Sequence, residues 1–183
     1  MWVFGYGSLV WKVDFPYETK LVGHIKGYLR RFFQHSIDHR GVPEKPGRVV
    51  TLLPSTDRGS KVWGVAYKIK PEDEESVIDH LDFREKNGYS KEFVTFYPQE
   101  QGVNPFKLMV YTATTENMSY AGQSWEVALL YIAKQVVMCC GPSGQNKEYV
   151  YHLAESMREL VPNVEDEHLF SLEAAVRKLD NNL

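Results

Sequence analysis

Six short runs of aromatic and β-branched residues follow one another through the first two-thirds of the chain. Each run is bounded by Gly, Pro, Asp or Ser, which is the pattern of β-strands that end in turns. Several such runs in succession predict a closed or strongly curved sheet. The runs are residues 2–6, 20–36, 49–53, 62–67, 93–97 and 108–111.

Helical patterns dominate the rest of the chain. One helix is predicted among the strands, where Pro71 and four acidic residues form a typical first turn and Leu81 continues an apolar stripe. Three more are predicted after the last strand, the first of them capped by Ser124. A sheet followed by helices predicts an α+β domain. These three helices run from Ser124 to Val137, from about 147 to 160 and from about 165 to 179.

The length of 183 residues predicts a single domain spanning residues 1–183. No apolar run reaches the ~18 residues that cross a bilayer, and the N-terminus lacks the features of a signal peptide. The two cysteines, Cys139 and Cys140, are adjacent and cannot connect distant segments, so we expect two small buried side chains in a reducing compartment. The alternative is a vicinal redox pair. Together these observations predict a cytosolic protein.

Charge is unevenly distributed along the chain. Residues 20–70 carry 11 basic and 3 acidic side chains, a net charge of +8, whereas residues 71–183 carry 9 basic and 19 acidic, a net charge of −10. The basic segment could meet an anion, either a phosphate backbone or a small carboxylate substrate. Alternatively, the two charged segments face each other or solvent. The overall net charge of −3 argues against a globally basic nucleic-acid binder.

Two glycines, Gly5 and Gly7, flank Tyr6 where the first strand must end. Glycine lets a ligand approach backbone N–H groups closely, so an anion or a carbonyl oxygen could bind here. The alternative is a plain tight turn or bulge. A dinucleotide-binding fingerprint is excluded because Val10 occupies the third glycine position. A nucleophile elbow is excluded because Gly7 and Leu9 flank Ser8, which is not the glycine pattern that the elbow requires.

A carboxylate stands at the expected end of the first helix. If that helix continues, Ile78, Leu81 and Glu85 share one face, and Glu85 lies along the apolar stripe. Apolar surroundings raise the pKa of a carboxyl group, as a general base that also returns its proton requires. The alternative is a helix-end carboxylate in an ion pair with Lys86 or Arg84.

The loop around residues 35–48 and the start of the third helix offer further candidates. His35 and His39 lie four residues apart, but no third ligand stands at motif distance, so we expect no metal site. A buried Asp–Arg network that braces the loop is the preferred interpretation, although Arg40 or Arg48 could bind a substrate carboxylate through a bidentate contact. Tyr149 either points its hydroxyl at a cleft or is a core tyrosine.

Taken together, five motifs and Tyr149 resemble the ChaC family of γ-glutamylcyclotransferases over roughly residues 1–173. The resemblance implies a γ-glutamylcyclotransferase-like small β-barrel flanked by helices. It implies a carbon–nitrogen lyase of glutathione catabolism that converts reduced glutathione to 5-oxoproline and L-cysteinylglycine. The short length resembles the shorter of the two animal ChaC types. The motifs are VFGYGSL (3–9), DHRGVPEKPGRV (38–49), VWGV (62–65), DFREKNGY (82–89) and GPSG (141–144).

The resemblance also implies particular site residues. The catalytic glutamate of the family falls on Glu85, and the helix-start tyrosine that binds substrate falls on Tyr149. This sequence departs from the family pattern at Gln145, where we expect Arg, and at the Cys139–Cys140 pair. The implied reaction needs no cofactor and no metal, because the substrate carries both nucleophile and electrophile. The implied substrate loop consists of Val3, Phe4, Gly5, Tyr6, Gly7, Ser8 and Leu9.

Glutathione is therefore the expected small-molecule partner, with neither nucleic acid nor membrane as a partner. Monomer and dimer are both compatible with the sequence. Two other classes of protein remain as alternatives. A non-catalytic γ-glutamyl-ligand binding or protein-interaction module would keep the glycine turn but would not need an acid at Glu85. A nucleic-acid module could use the basic segment, and its binding would depend steeply on salt.

Overall fold

The computed structural model describes residues 1–84, 89–113, 115–122 and 128–181. It is an α+β structure, as predicted, with a strand-rich first part and a helix-rich last part. The strands are β1 (Trp2–Gly5), β2 (Thr19–Lys26), β3 (Tyr28–Ser36), β4 (Gly47–Pro54), β5 (Lys61–Lys68), β6 (Tyr89–Pro98), β7 (Phe106–Ala113), β8 (Cys140–Gly141) and β9 (Gly144–Gln145). The helices are α1 (Glu74–Arg84), α2 (Leu129–Met138), α3 (Asn146–Leu160) and α4 (Glu167–Asp180).

Five of these strands form the closed barrel that the sequence predicted. Their order is β1-β5-β2-β6-β7, and β1 completes the ring by pairing in parallel with β7 through Val3 and Met109. β3 and β4 form a separate two-stranded sheet, which the strand pattern alone did not distinguish from the barrel. Within the predicted run 20–36, Gly27 adopts a φ of 79° between β2 and β3, a conformation that glycine takes without strain.

The chain divides into two compact units, and each unit combines two stretches of sequence. The first unit comprises Met1–Leu29 and Leu52–Asn117, and the second comprises Arg30–Thr51 and Met118–Leu183. The interior of the first unit is aromatic. Phe4 and Phe96 have ring centroids 5.7 Å apart, and Phe96 and Phe106 have centroids 5.3 Å apart. These large rings fill the barrel.

The second unit is built around a buried arginine. Arg48 is fully buried and donates hydrogen bonds to the carbonyl oxygens of Phe32 and Ala121 and to Oε1 of Gln135. The Asn146 side chain, at the start of α3, accepts from the backbone N–H of Arg48 at 2.6 Å and donates to its carbonyl at 2.8 Å. This arrangement fixes the start of α3 against β4.

Three glycine backbones pack against one another beside this arginine. A Cβ at Gly41 would lie 2.1 Å from the backbone N of Gly47, and one at Gly141 would lie 2.5 Å from the backbone N of Gly41. A Cβ at Gly47 would lie 2.4 Å from the carbonyl oxygen of Arg40. The neighbouring atoms belong to the main chain, so they cannot move aside as a flexible side chain would.

The cysteine pair differs in part from the expectation of two buried side chains. Cys139 is buried and Cys140 is exposed. Cys139 adopts an extended conformation after α2 and Cys140 begins the β8–β9 hairpin, so their side chains point in different directions.

Candidate active site

The glycine turn follows directly after β1 in the first unit. The chain turns through a single 3-10 turn at Ser8–Val10, where the Val10 N–H donates to the carbonyl of Gly7 at 2.9 Å. A Cβ at Gly5 would lie 2.7 Å from Cβ of Leu9, so the turn leaves no room for a side chain at position 5. The sequence therefore predicted the position of the turn, and the structure adds a steric reason for glycine at position 5.

Most side chains of the predicted substrate loop are part of the barrel core. Val3, Phe4, Gly5, Tyr6 and Leu9 are buried, whereas Gly7 and Ser8 are partly exposed. The Tyr6 hydroxyl donates to the carbonyl of Tyr111 at 2.8 Å, and the Leu9 carbonyl accepts from the Tyr67 hydroxyl at 2.6 Å. A ligand at this turn would therefore meet backbone groups and the Ser8 hydroxyl more readily than the buried side chains.

The end of α1 contacts this turn through Arg84. Its guanidinium donates one hydrogen bond to the Ser8 hydroxyl and two, from Nη1, to Asp14 at 2.7 and 2.8 Å. A hydrogen bond between ionised groups is about twice as strong as one between neutral groups. The structure thus connects the glycine turn to the residue that immediately precedes Glu85 in the sequence.

Glu85 itself lies in residues 85–88, outside the residues that the structure describes. The helix that leads to it matches the prediction up to Arg84, with Val77 and Leu81 buried. The alternative for Glu85, an ion pair with Lys86 or Arg84, also falls outside the described residues and stays open. The prediction of Glu85 as the catalytic base stays a prediction.

The same helix end is held to the barrel by Asp82. This carboxylate accepts hydrogen bonds from Lys91 Nζ and from the Tyr111 hydroxyl, both at 2.6 Å. These two hydrogen bonds, with a smaller contribution from the Lys91 charge, hold the pKa of Asp82 below its ordinary value, although burial acts in the opposite direction. Two ion pairs therefore hold the end of α1: Arg84 with Asp14 of the segment after the turn, and Asp82 with Lys91 of β6.

Asp14 is the site residue that sequence reasoning missed. Partial burial acts to raise the pKa of this carboxyl group, but the nearby Arg84 and His80 outweigh it and lower the pKa. His80 Nε2 lies 3.1 Å from Asp14 Oδ1, one helical turn before Arg84. No local pattern could have revealed Asp14, because its partners lie 66 and 70 positions away along the chain.

Tyr149 lies in the second unit, near the start of α3. It is buried, its ring packs edge-on against Phe32 at a centroid distance of 6.0 Å, and its hydroxyl lies 3.5 Å from the Val50 N–H. These contacts agree with the core-tyrosine alternative. A substrate contact by its hydroxyl stays a prediction.

The two candidate anion-binding arginines also lie in the second unit. Arg48 donates to internal carbonyls, and Arg40 donates to the Gln145 carbonyl at 3.0 Å and pairs with Glu148 at 3.5 Å. This bracing agrees with the buried-network interpretation, and backbone carbonyls and Glu148 are among the acceptors. Gln145, the departure from the family pattern, contributes its backbone oxygen to this network.

Neither a metal-binding cluster nor a membrane-spanning helix occurs among the described residues. Among the described residues, no group of three or more His, Cys, Asp or Glu side chains could hold a metal ion. Within the same ranges, no helix combines the length and apolar character needed to cross a membrane.

Comparison with solved structures defines the class of fold. A crystal structure of the glutathione-specific γ-glutamyl cyclotransferase from yeast superposes with a TM-score of 0.90 and 28% identity, covering 100% of this chain and 98% of that chain. A second structure, described as a γ-glutamyl cyclotransferase, gives a TM-score of 0.55 at 16% identity, which shows the fold alone. The chain therefore has the γ-glutamylcyclotransferase-like fold that the sequence predicted.

Sequence comparison then gives the family. Residues 1–179 match the family described as ChaC-like protein, and the chain belongs to this family. Glutathione-specific γ-glutamylcyclotransferase 1 from Danio rerio is 45% identical over 96% of this chain and 88% of its own length. γ-Glutamylcyclotransferase 2-3 from Arabidopsis thaliana is 42% identical over 98% and 89%, respectively. The glutathione-specific enzyme from Schizosaccharomyces pombe is 36% identical over 97% and 93%.

Proposed function

We propose that this chain is a glutathione-specific γ-glutamylcyclotransferase. The observation that carries the proposal is its similarity, over nearly the full length of both chains, to relatives that bear this name in an animal and a yeast. The substrate is reduced glutathione, and the products are 5-oxoproline and L-cysteinylglycine. Reduced glutathione is abundant in the cytosol, which is the compartment we propose for this protein.

The reaction explains why few catalytic groups are needed. The α-amine of the γ-glutamyl unit attacks the γ-carbonyl carbon of the same unit and closes a five-membered ring, in which that carbon is tetrahedral. The lactam forms when this intermediate collapses. The C–N bond to the cysteine nitrogen then breaks, and this nitrogen leaves as the amine of cysteinylglycine. The enzyme must mainly hold a flexible chain in the attack geometry, and such positioning can contribute ~7–11 kcal/mol.

Two groups of residues supply the chemistry in this proposal. Glu85 removes a proton from the α-ammonium group and later returns one to the leaving nitrogen. Backbone N–H groups around Tyr6 to Leu9 bind the γ-glutamyl end and the oxyanion that develops on the γ-carbonyl oxygen. The link from Arg84 to Ser8 supports this division, because it joins the residue before Glu85 to the glycine turn.

The central experiment measures 5-oxoproline released from reduced glutathione by the purified protein. We expect turnover by the wild type and at least about a thousandfold lower kcat for Glu85→Gln, which keeps the shape of the side chain but removes its basicity. Glu75→Gln, a change at an exposed acid in the first turn of the same helix, is the matched control and should keep wild-type activity.

The possible outcomes separate the alternatives. An active Glu85→Gln variant would show that another group is the base. A wild type that ignores glutathione but cyclises other γ-glutamyl amides would overturn the substrate while keeping the reaction. Calorimetric binding of glutathione without turnover would favour a non-catalytic module.

Tyr149→Phe tests the second predicted substrate contact in the 5-oxoproline assay. The change should raise KM if the hydroxyl binds substrate, whereas reduced stability at unchanged KM would identify a core tyrosine.

A further inference from the structure

Arg84 holds a carboxylate that none of the family motifs contains. Asp14 lies in the segment between the glycine turn and β2, outside every motif quoted for the family resemblance. Both of its carboxylate oxygens accept hydrogen bonds from Nη1 of Arg84. The Arg84 side chain is 14% exposed, against 38% for Asp14, so the guanidinium end of the pair is well shielded from water. Shielding reduces solvent screening and strengthens the attraction.

A second residue of the same helix face contacts the same carboxylate. His80 lies four positions before Arg84, and residues at this spacing project from one side of a helix. Its Nε2 is 3.1 Å from Oδ1 of Asp14. Asp14 therefore contacts two successive turns of α1, which restrains the helix against sliding as well as rotation.

We infer that Asp14 is a positioning residue, which holds Arg84 so that the end of α1 stays against Ser8 of the glycine turn. The inference rests on the proposed function, in which the residue after Arg84 moves the protons and the turn binds the γ-glutamyl unit. Asp14 contacts side chains of α1, and no described hydrogen bond joins it to the backbone groups of the turn. It acts through Arg84.

The chemistry of cyclisation makes such a link valuable. The base must reach the α-ammonium group while the turn holds the γ-carbonyl, two groups separated by only a few bonds of one substrate. A misplacement of ~1 Å can lower the rate about a hundredfold. Loss of Asp14 leaves the binding groups of the turn present but loosens their position relative to α1. The rate constant kcat should therefore change more than KM.

The first experiment measures kcat and KM for three variants. Asp14→Ala should lower kcat at least about tenfold and change KM less than about threefold. Asp14→Asn, which keeps one acceptor oxygen but no charge, should fall between Asp14→Ala and the wild type. Glu18→Gln is the matched control, because Glu18 belongs to the same stretch of chain and forms an exposed ion pair with Lys68. It should behave as wild type.

A double variant tests whether Asp14 acts through Arg84. Arg84→Met keeps the apolar stem but removes the donors, so Asp14 has no guanidinium to hold. If the inference is correct, Asp14→Ala causes no further loss of kcat in the Arg84→Met background. Effects of the two changes that multiply would show that Asp14 acts independently and would overturn the inference.

A measurement without substrate separates this inference from the proposed function. Hydrogen–deuterium exchange of a peptide covering residues 5–12 should be faster in Asp14→Ala than in the wild type, with unchanged exchange in the β6–β7 strands. Glu18→Gln should show the wild-type pattern. Unchanged exchange in residues 5–12 would overturn the positioning role, whatever the activity. A wild type inactive on every γ-glutamyl compound would instead overturn the proposed function, and the exchange result would still decide whether Asp14 holds the turn.

Discussion

Gly5 is the last residue of β1, where the chain begins the turn that contains Leu9. Its backbone φ is not positive, so its importance comes from space, not from conformation. A Cβ there would lie 2.7 Å from Cβ of Leu9 and 3.4 Å from the ring of Tyr67. Because Leu9 is itself buried, the turn has little freedom to yield.

We therefore expect Gly5→Ala to destabilise the protein by about 1–3 kcal/mol, the usual cost of inserting a methyl group into a packed region. Urea unfolding followed by circular dichroism measures this change. Gly59→Ala is the control, because the atoms nearest its new Cβ belong to the flexible carboxylate of Asp57, at 3.1 Å. Its stability should stay within about 0.5 kcal/mol of the wild type. Equal effects at both glycines would contradict the packing argument.

At the residue scale, the sequence predicts the features that neighbouring residues specify. Two glycines around Tyr6 predict a turn, and an apolar stripe predicts the direction of the helix before Glu85. Asp14 and Arg84 are 70 positions apart, and only the closed barrel with its inserted helix brings them into contact. A pattern of neighbouring residues contains no information about such a pair.

At the scale of elements, α4 is joined to β3 by a histidine that must be neutral. The Phe32 N–H donates to Nε2 of His168 at 3.1 Å, which only an unprotonated nitrogen can accept. Burial, and then the Arg31 charge, lower the pKa of His168 to about 4, although Asp166 acts in the opposite direction. Protonation would remove the acceptor and place a charge in a half-buried position.

This histidine predicts a loss of stability in mild acid. The folded pKa of about 4 lies below the unfolded value near 6.5, so the unfolded state binds the proton more readily. The contribution is complete above pH 6.5 and is lost as the pH falls from 6.5 to 4. We expect it to be on the order of 1–3 kcal/mol.

Thermal unfolding between pH 7 and pH 4.5 measures this contribution. Wild-type Tm should fall more steeply than that of His168→Gln, whose amide oxygen can accept the hydrogen bond but does not titrate. His152→Gln changes an exposed histidine on α3 and should retain the wild-type slope. Parallel curves for wild type and His168→Gln would refute the prediction.

Sequence patterns predicted the helices better than the pairing of the strands. Helices α3 and α4 lie close to their predicted bounds, because Pro162 follows the end of α3 and Asp166 caps the start of α4. The helix expected to start at Ser124 is described from Leu129, with Ala128 extended before it, and Ser124 lies outside the described residues. Membership of β3 and β4 in a separate sheet depends on long-range pairing, which short apolar runs do not encode.

At the scale of the whole molecule, the charge that is uneven along the sequence is nearly balanced within each of the two units. The first unit contains 11 basic and 13 acidic side chains, a net charge of −2, and the second contains 10 and 11, a net charge of −1. Within the second unit, Arg30 pairs with Asp166 and Arg40 with Glu148, which joins the basic segment to the acidic one. The structure thus favours the alternative in which the charged segments face each other.

The single-domain prediction has a measurable consequence. Residues 30–51 belong to the second unit but interrupt the first, and residues 52–117 interrupt the second, so neither unit is a continuous piece of chain. Ordering either unit requires closing a loop that passes through the other. We expect one cooperative transition in calorimetry, with equal calorimetric and van't Hoff enthalpies. Two resolved transitions would contradict a single domain.

The contact among Gly41, Gly47 and Gly141 affects how tolerance to random substitution is interpreted. Each of these positions faces main-chain atoms, so even alanine would force the backbone apart. In a saturation library selected for glutathione turnover, all three should be as intolerant as a proton-transfer residue, yet none carries a group that reacts. Measuring the amount of folded protein for each variant separates the two causes, because we expect glycine variants to lose the fold and variants of Glu85, the proposed base, to lose only turnover.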